Sequence, residues 1–452
     1  MGLGKGTTLS YCATMTARPR PPRGQRPSPP EAVDVRQERL HLAHRLFREG
    51  LRADKPLDAV VADFLKRKLR GEDDALRLFV VDTAHGMWRS RRLLEAIAAE
   101  ALCQIDVDLT GEALCALYCA LRGALPLSEL PFDPARLQQL VRLAERVEKT
   151  AALDVVASMP PWLVPRIAAG PDGAAVCRAL SAKPPQSLRV NTLRTTREAA
   201  QAALAQEGIE TVPAPYSPDG LLVKGKKKIV ASKAWQDGLI EIQDEGSQLV
   251  GRLCAAGPGQ IVVDGCAGAG GKTLHLAATM QGKGTVYAFD VHHGRLAALQ
   301  KRAARAGAHN IRVQALDEGK LRKRLAGRAD IVLVDAPCSG SGVLRRNPDI
   351  AWTLTKATVS RLAQEQRTLL HTYAPLVRPG GCLVYATCSL LEEENEVAVR
   401  AFLAENPSFV VDDAAVRLRA QGIEVPGIGP LLRLDPFHHG TDGFFAAVLQ
   451  RS

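Results

Sequence analysis

The chain has 452 residues, enough for two or three domains, and only 4% are aromatic, so small aliphatic side chains must fill its cores. A formal charge of +11 favours a polyanionic partner. No apolar run reaches the roughly eighteen residues of a membrane span, and the ten cysteines form no C-x-x-C pair. These features argue against a membrane-spanning helix and a disulfide framework, and fit a reducing cytoplasm.

Residues 1–33 are rich in Pro, Arg and Gly, with Arg18, Arg20, Arg23 and Arg26 spaced among prolines. Such a segment cannot bury enough apolar surface to order itself. It reads as a disordered basic tail or an over-extended start with Met15 as initiator, and it has no continuous apolar stretch of a secretory signal. Residues 34–157 read as an all-helical domain. Leu40, Ala43, Phe47 and Leu51 form one stripe, and Val60, Val61, Phe64, Leu65 and Leu69 the next, with Pro56 at an early helical position. Leu137, Leu140, Val141, Ala144 and Val147 give a later stripe, while Cys115 and Cys119, four apart, read as core. Lys66, Arg67, Lys68 and Arg70 suit an RNA contact and a solvated helix face equally.

Residues 158–245 read as a smaller α+β unit, opened by Pro160-Pro161-Trp162. Short strands are predicted over 188–191, 209–212, 221–224 and 239–242, and Thr195-x-x-Glu198 reads as a capping box opening a helix. Lys224-Gly225-Lys226-Lys227-Lys228 is a basic turn that could meet phosphate or water.

Residues 246–452 alternate strand and helix, which predicts a mostly parallel, doubly wound sheet. Ile261-Val262-Val263-Asp264 runs into the glycine-rich Gly265-Cys266-Ala267-Gly268-Ala269-Gly270-Gly271-Lys272-Thr273 and then a helix, the grammar of a nucleotide-type site. The loop is not G-x-G-x-x-G. A second strand ends at Asp290, about 20 residues past the last loop glycine, the spacing at which a carboxylate meets a ribose. Two later strands run into Asp335-Ala336-Pro337-Cys338-Ser339-Gly340-Ser341-Gly342 and Thr387-Cys388-Ser389. Both cysteines thus fall just past carboxyl strand ends, where open α/β sheets place ligands. Val359, Leu362, Gln366, Leu369, Leu370 and Tyr373 mark an amphipathic helix between those strands, Arg378-Pro379-Gly380-Gly381 a turn, and Ser389-x-x-Glu392 a second capping box.

On these paired cysteine motifs the chain resembles the NOL1/NOP2/Sun family of RNA cytosine-C5 methyltransferases, most of all its bacterial 16S rRNA branch, over roughly residues 160–452. The resemblance implies a Rossmann-like class I methyltransferase domain and S-adenosylmethionine as cofactor. By position and helicity, residues 34–157 are similar to the family's domain like the transcription antiterminator NusB. Family members use the T-C-S cysteine as nucleophile, so Cys388 takes that role, with Cys338 assisting release and Asp335 polarising the base. Spacing alone does not assign these roles. The resemblance sets Asp264, Cys266, Ala267, Gly268, Ala269, Gly270, Gly271 and Lys272 around the methionine part, Asp290 on the ribose, Asp317 near adenine, and Asp335 at the same cleft. It implies RNA contacts by Arg189, Asn191, Pro337, Arg345 and Arg346. The family usually reads C-A-A-P-G-G-K-T, so Gly268-Ala269 is a departure that frees one backbone dihedral. Chemically, carbon 5 of cytosine is a poor nucleophile until a thiolate adds to carbon 6, which calls for an accessible, ionisable cysteine.

The expectation is therefore a monomeric, cytoplasmic enzyme forming 5-methylcytosine in RNA, 16S rRNA ahead of transfer RNA, with no metal. An RNA-binding assembly factor without catalysis is the alternative from another class. A nicotinamide-dependent dehydrogenase fails on loop spacing and leaves the cysteines unexplained.

Overall fold

The structure is a computed structural model that describes residues 35–452 apart from 106, 108, 110, 127–129, 131, 132, 226 and 316–319. The basic tail, Lys226 and Asp317 therefore lie outside the described residues. Between residues 35 and 156 the described elements are all helices, wrapped around two apolar clusters. Leu40, Ala43 and Phe47 meet Val60, Phe64 and Leu69 in the first cluster, as their helical spacing requires. Trp88 is fully buried beside them and its indole N–H donates to Phe47 O at 3.0 Å, satisfying the one polar atom that burial would strand. Pro56 sits just before the helix Leu57–Lys68 rather than inside it. Arg67 is committed to Glu49 at 2.8 Å and Asp63 at 3.0 Å on an exposed face, so this member of the basic run is a solvated ion-pair residue.

The next unit is an antiparallel sheet of β1 (Ser187–Val190), β2 (Thr211–Pro213), β3 (Gly220–Val223) and β4 (Ile240–Ile242), in the order β2-β3-β1-β4. The helix Arg197–Gln206 covers it, packing Ala200 and Leu204 on Leu188, Val190 and Ile240. Its cap is Thr196, whose hydroxyl accepts from Ala199 N at 3.2 Å, so the expected Thr195 and Glu198 box is displaced by one residue.

The large sheet holds β5 (Ile261–Asp264), β6 (Thr285–Asp290), β7 (Ile311–Ala315), β8 (Ala329–Asp335), β9 (Val377–Thr387), β10 (Phe409–Asp412), β11 (Leu432–Leu434) and β12 (Phe444–Arg451). Its order is β10-β12-β9-β8-β5-β6-β7, with β11 also paired to β12. The five strands from β9 to β7 are parallel, while β10, β11 and β12 pair antiparallel. Alternate residues feed opposite cores: Ile331 and Leu333 pack on one face, Val332 and Val334 on the other. Burial on both faces is why these strands read as unbroken apolar runs. The segment expected to turn at Arg378–Gly381 is instead a bulge within β9, because Ala329 pairs with Val377 and Ile331 with Cys382. Ser389 does not open a helix; the following helix, Glu396–Glu405, begins after Asn395.

The cysteine loop after β8 is tied to the start of β12 at Gly342, where Gly443 N donates to Gly342 O at 2.8 Å. A Cβ on Gly342 would lie 2.3 Å from Gly443 O, against backbone that cannot swing away. Gly342→Ala is therefore expected to cost about 1–3 kcal/mol through overpacking, read from the urea midpoint at unchanged slope. A midpoint equal to that of the parent chain would show that the two backbones relax apart freely.

Candidate active site

The chain lays down β5, β6 and β7 outward on one side, then crosses back to place β8 on the other side of β5. Loops leaving the carboxyl ends of β5 and β8 diverge there and open a crevice. A cleft of about 420 Å³ occupies it, lined by the loop from Asp264 to Lys272, by Asp290, Asp335 and Pro337, and by Gln243 and Glu365.

The glycine loop is shaped by one steric demand. Gly270 has φ 90° and caps the helix Gly271–Thr279, and a Cβ there would fall 2.0 Å from the Leu299 side chain. The Gly268-Ala269 departure is absorbed by hydrogen bonds. Gly268 N donates to Asp290 Oδ2 at 2.9 Å, and Ala269 O accepts from Arg302 Nη1 at 2.7 Å. Asp290 Oδ1 also accepts from His292 N at 2.7 Å. A carboxylate offers roughly four lone-pair directions, so both oxygens retain capacity for ribose hydroxyls.

Asp264 is buried, with Oδ2 accepting from Thr273 Oγ1 at 2.7 Å and Oδ1 without a partner. Burial pushes its carboxyl up to about 7; the Thr273 hydrogen bond opposes this and the charge of Asp335 adds to it. Lys272 Nζ donates to Asp335 Oδ2 at 2.7 Å and lies 5.1 Å from the centre of the Phe444 ring. Burial pulls the Lys272 ammonium down, yet Asp335 more than offsets this and leaves its pKa raised. The glycine-lined cleft and the orphaned Asp264 oxygen fit a cofactor bearing an amine and a ribose.

Cys338 Sγ and Cys388 Sγ stand 3.3 Å apart. The hydrogen bond to Cys388, with burial next, holds the Cys338 thiol well above its ordinary range. Both loops hang on one buried carboxylate, Glu394, fully excluded from solvent. Its Oε1 accepts from Ser339 N at 2.7 Å and from Gln366 Nε2 at 3.1 Å, and its Oε2 accepts from the Ser389 hydroxyl. Gln366 Nε2 also donates to Pro337 O at 2.9 Å. Ser339 follows Cys338 and Ser389 follows Cys388, so this network fixes the two sulfurs relative to each other.

The proposed RNA-contact residues are positioned differently. Arg189 is 1% exposed and donates to Gly271 O at 2.6 Å, behind the cofactor loop, and burial lowers its pKa to about 10. Asn191 Nδ2 donates to Gly238 O and Ala306 O, each at 2.8 Å. Both residues are interior braces between the small and large sheets. Arg345 is buried against Asp442 at 2.6 Å; Arg346 pairs with Asp244 at 2.9 Å and Asp442, and keeps part of its side chain at a groove. Sequence reading missed Glu394, which sits in the acidic run Glu392–Glu396 and looks solvated there. It also took Gln366 as a stripe residue, where an amide on an apolar face was the available signal.

A crossover sheet with a glycine loop, a ribose-spaced acid and acids at neighbouring strand ends defines the Rossmann-like, S-adenosylmethionine-dependent methyltransferase class. Residues 253–450 match the family described as 16S rRNA methyltransferase RsmB/F, and residues 159–230 match its ferredoxin-like domain. The chain is 30% identical over 413 residues to a probable ribosomal RNA small subunit methyltransferase B of Synechocystis, covering 89% of each chain. It is 31% identical over 417 residues to ribosomal RNA small subunit methyltransferase B of Pseudomonas putida, covering 85% of this chain and 93% of that one. The crystal structure of PH0851 superposes with a TM-score of 0.71 at 27% identity, over 93% of this chain and all of that one. The chain belongs to the RsmB/F family, the bacterial rRNA branch of the NOL1/NOP2/Sun methyltransferases.

The raised Asp264 pKa has a stability consequence. The folded chain keeps a proton that the unfolded chain releases between the ordinary value of 3.8 and about 7, so stability drains away as pH rises through that window. Asp264→Asn retains an acceptor for Thr273 and removes the titration. Its melting temperature relative to the parent should therefore rise between about pH 5 and about pH 8. A difference independent of pH would show that Asp264 titrates normally.

Proposed function

We propose that this protein methylates carbon 5 of a cytosine in 16S rRNA through a covalent bond between Cys388 and carbon 6. The observation that carries this is the 3.3 Å pair of Cys338 and Cys388 at the crevice that also holds the Lys272–Asp335 pair. Bound S-adenosylmethionine would supply the methyl group. The chain's own residues would hold it: the loop from Asp264 to Lys272 around the methionine part and Asp290 at the ribose. Asp317 is proposed near the adenine.

The target base must be extruded, since carbon 6 is closed to an in-plane attack within a stack. Cys388 adds to carbon 6, and the ring becomes an enamine whose carbon 5 is nucleophilic. Asp335 would accept from the N4 amino group, and from N3–H once N3 takes up a proton during addition, its charge steadied by Lys272. After transfer solvent water takes the carbon-5 proton, the electron pair it leaves restores the carbon 5–carbon 6 double bond, and the Cys388 thiolate departs, with Cys338 assisting. The raised pKa of Cys338 supports this division, since a thiol that stays protonated is a poor attacking group. Family membership supports small-subunit rRNA as substrate. Residues 34–157 and 158–245 are proposed as RNA-binding units ahead of the methyltransferase domain, 246–452, which would act as a soluble monomer.

The two cysteine roles separate experimentally on an RNA that the parent enzyme turns over. Cys388→Ala should lose activity by on the order of 10⁴-fold and form no adduct. Cys338→Ala should still bond to RNA but release it slowly, accumulating a species that survives denaturing electrophoresis. The double variant should behave as Cys388→Ala. Adduct trapped in Cys388→Ala and absent in Cys338→Ala would exchange the roles. Absence of S-adenosylmethionine binding by calorimetry would instead favour a non-catalytic assembly role.

A further inference from the structure

A second cavity, about 560 Å³, lies where the helical unit meets the segment leading to β1, and the methyl-transfer chemistry does not use it. Arg89 lines it while being only 8% exposed. Its guanidinium reaches Arg345 O at 3.4 Å and the Tyr118 hydroxyl, and among the described residues no carboxylate pairs with it. Burial lowers its pKa, and Tyr118 offsets this only in part. Gly86 leaves room for that phenol, since a Cβ there would strike the Tyr118 hydroxyl at 1.7 Å. A buried cation without a counter-charge is costly unless something anionic completes the site.

The surrounding charges point the same way. Arg122, Arg178 and Lys183 also line the cavity. Two carboxylates oppose them loosely: Asp82 stands 3.6 Å from Lys183 and Glu148 stands 3.7 Å from Arg122. Asp82, Arg89 and Lys183 also border a groove of about 830 Å³ whose lining includes Arg345, Arg346 and Asn347, just past the first cysteine motif. A polyanion lying in that groove would pass the mouth of the cavity.

We infer that this cavity binds a phosphate-class anion, with Arg89 as the inner cation and Arg178 and Lys183 at the rim. Forked guanidinium donors match phosphate oxygens, and partial desolvation strengthens each bond. The two sources of such an anion are a backbone phosphodiester of the RNA and a free phosphorylated small molecule. The first rests on the function proposed above; the second does not.

The test uses the full chain and inorganic pyrophosphate, titrated by calorimetry. Parent protein should bind it, and Arg178→Ala/Lys183→Ala should weaken binding by about tenfold or more. Arg89→Gln should weaken it further. The rim variant alters exposed side chains only, so it remains readable if loss of the buried Arg89 charge disturbs folding. Absence of pyrophosphate binding, or equal affinity in the rim variant, overturns the site. Binding of 16S rRNA then separates the sources. Competition by pyrophosphate, with a salt slope shallower in the rim variant by about 1 to 2, assigns the site to a backbone phosphate. Unchanged rRNA binding overturns that source and assigns a free phosphorylated ligand. S-adenosylmethionine affinity should be the same in every variant, and the pyrophosphate arm reads the same whether or not the chain methylates RNA.

Discussion

The Lys272–Asp335 ion pair, 2.7 Å long and largely closed to water, joins the helix after β5 to the end of β8. A crossover sheet opens a crevice between those two strands, and beyond the backbone bond from Gly265 N to Leu333 O at 2.8 Å its loops diverge and need a further tie. The pair supplies that tie. Desolvating two charges is costly, and removing one partner leaves the other buried and uncompensated, so the pair is more valuable for geometry than for net stability. It also places a positive charge within electrostatic reach of Cys388 and a carboxylate at the end of β8.

Glu394 plays the corresponding part on the other side of the crevice. It accepts hydrogen bonds from both cysteine loops and from Gln366 on the long helix Lys356–Tyr373. One helix and two loops thereby share a single acceptor. The cysteines are held as a pair by groups that carry no chemistry themselves.

Much of this was legible in the residues. β5, β8 and the core of β9 announce themselves because burial on both faces demands unbroken apolar runs, and the acids and cysteines follow those runs directly. Local signals fared less well. Thr195 and Thr196 both satisfy a capping pattern, and packing of the helix Arg197–Gln206 decides between them. Pro379 and Gly380 read as a turn, yet the register between Ala329 and Cys382 absorbs them as a bulge. Arg189 and Asn191 illustrate a different limit. The family resemblance implied RNA contacts there, whereas both side chains are buried bracing Gly271, Gly238 and Ala306. Long-range partners of that kind leave no trace in spacing.

The position of β12 has a consequence for how the molecule is made. Among the described residues it follows every other strand in sequence, yet it lies between β9 and β10 rather than at an edge. Phe444 at its start touches the Lys272 ammonium, and Gly443 just before it clasps Gly342 beside the first cysteine loop. During synthesis from the N-terminus, every residue that would bind cofactor or attack a base emerges first and waits beside a gap in the sheet. Maturation of the crevice is therefore coupled to the arrival of β12, the strand that fills the gap between β9 and β10.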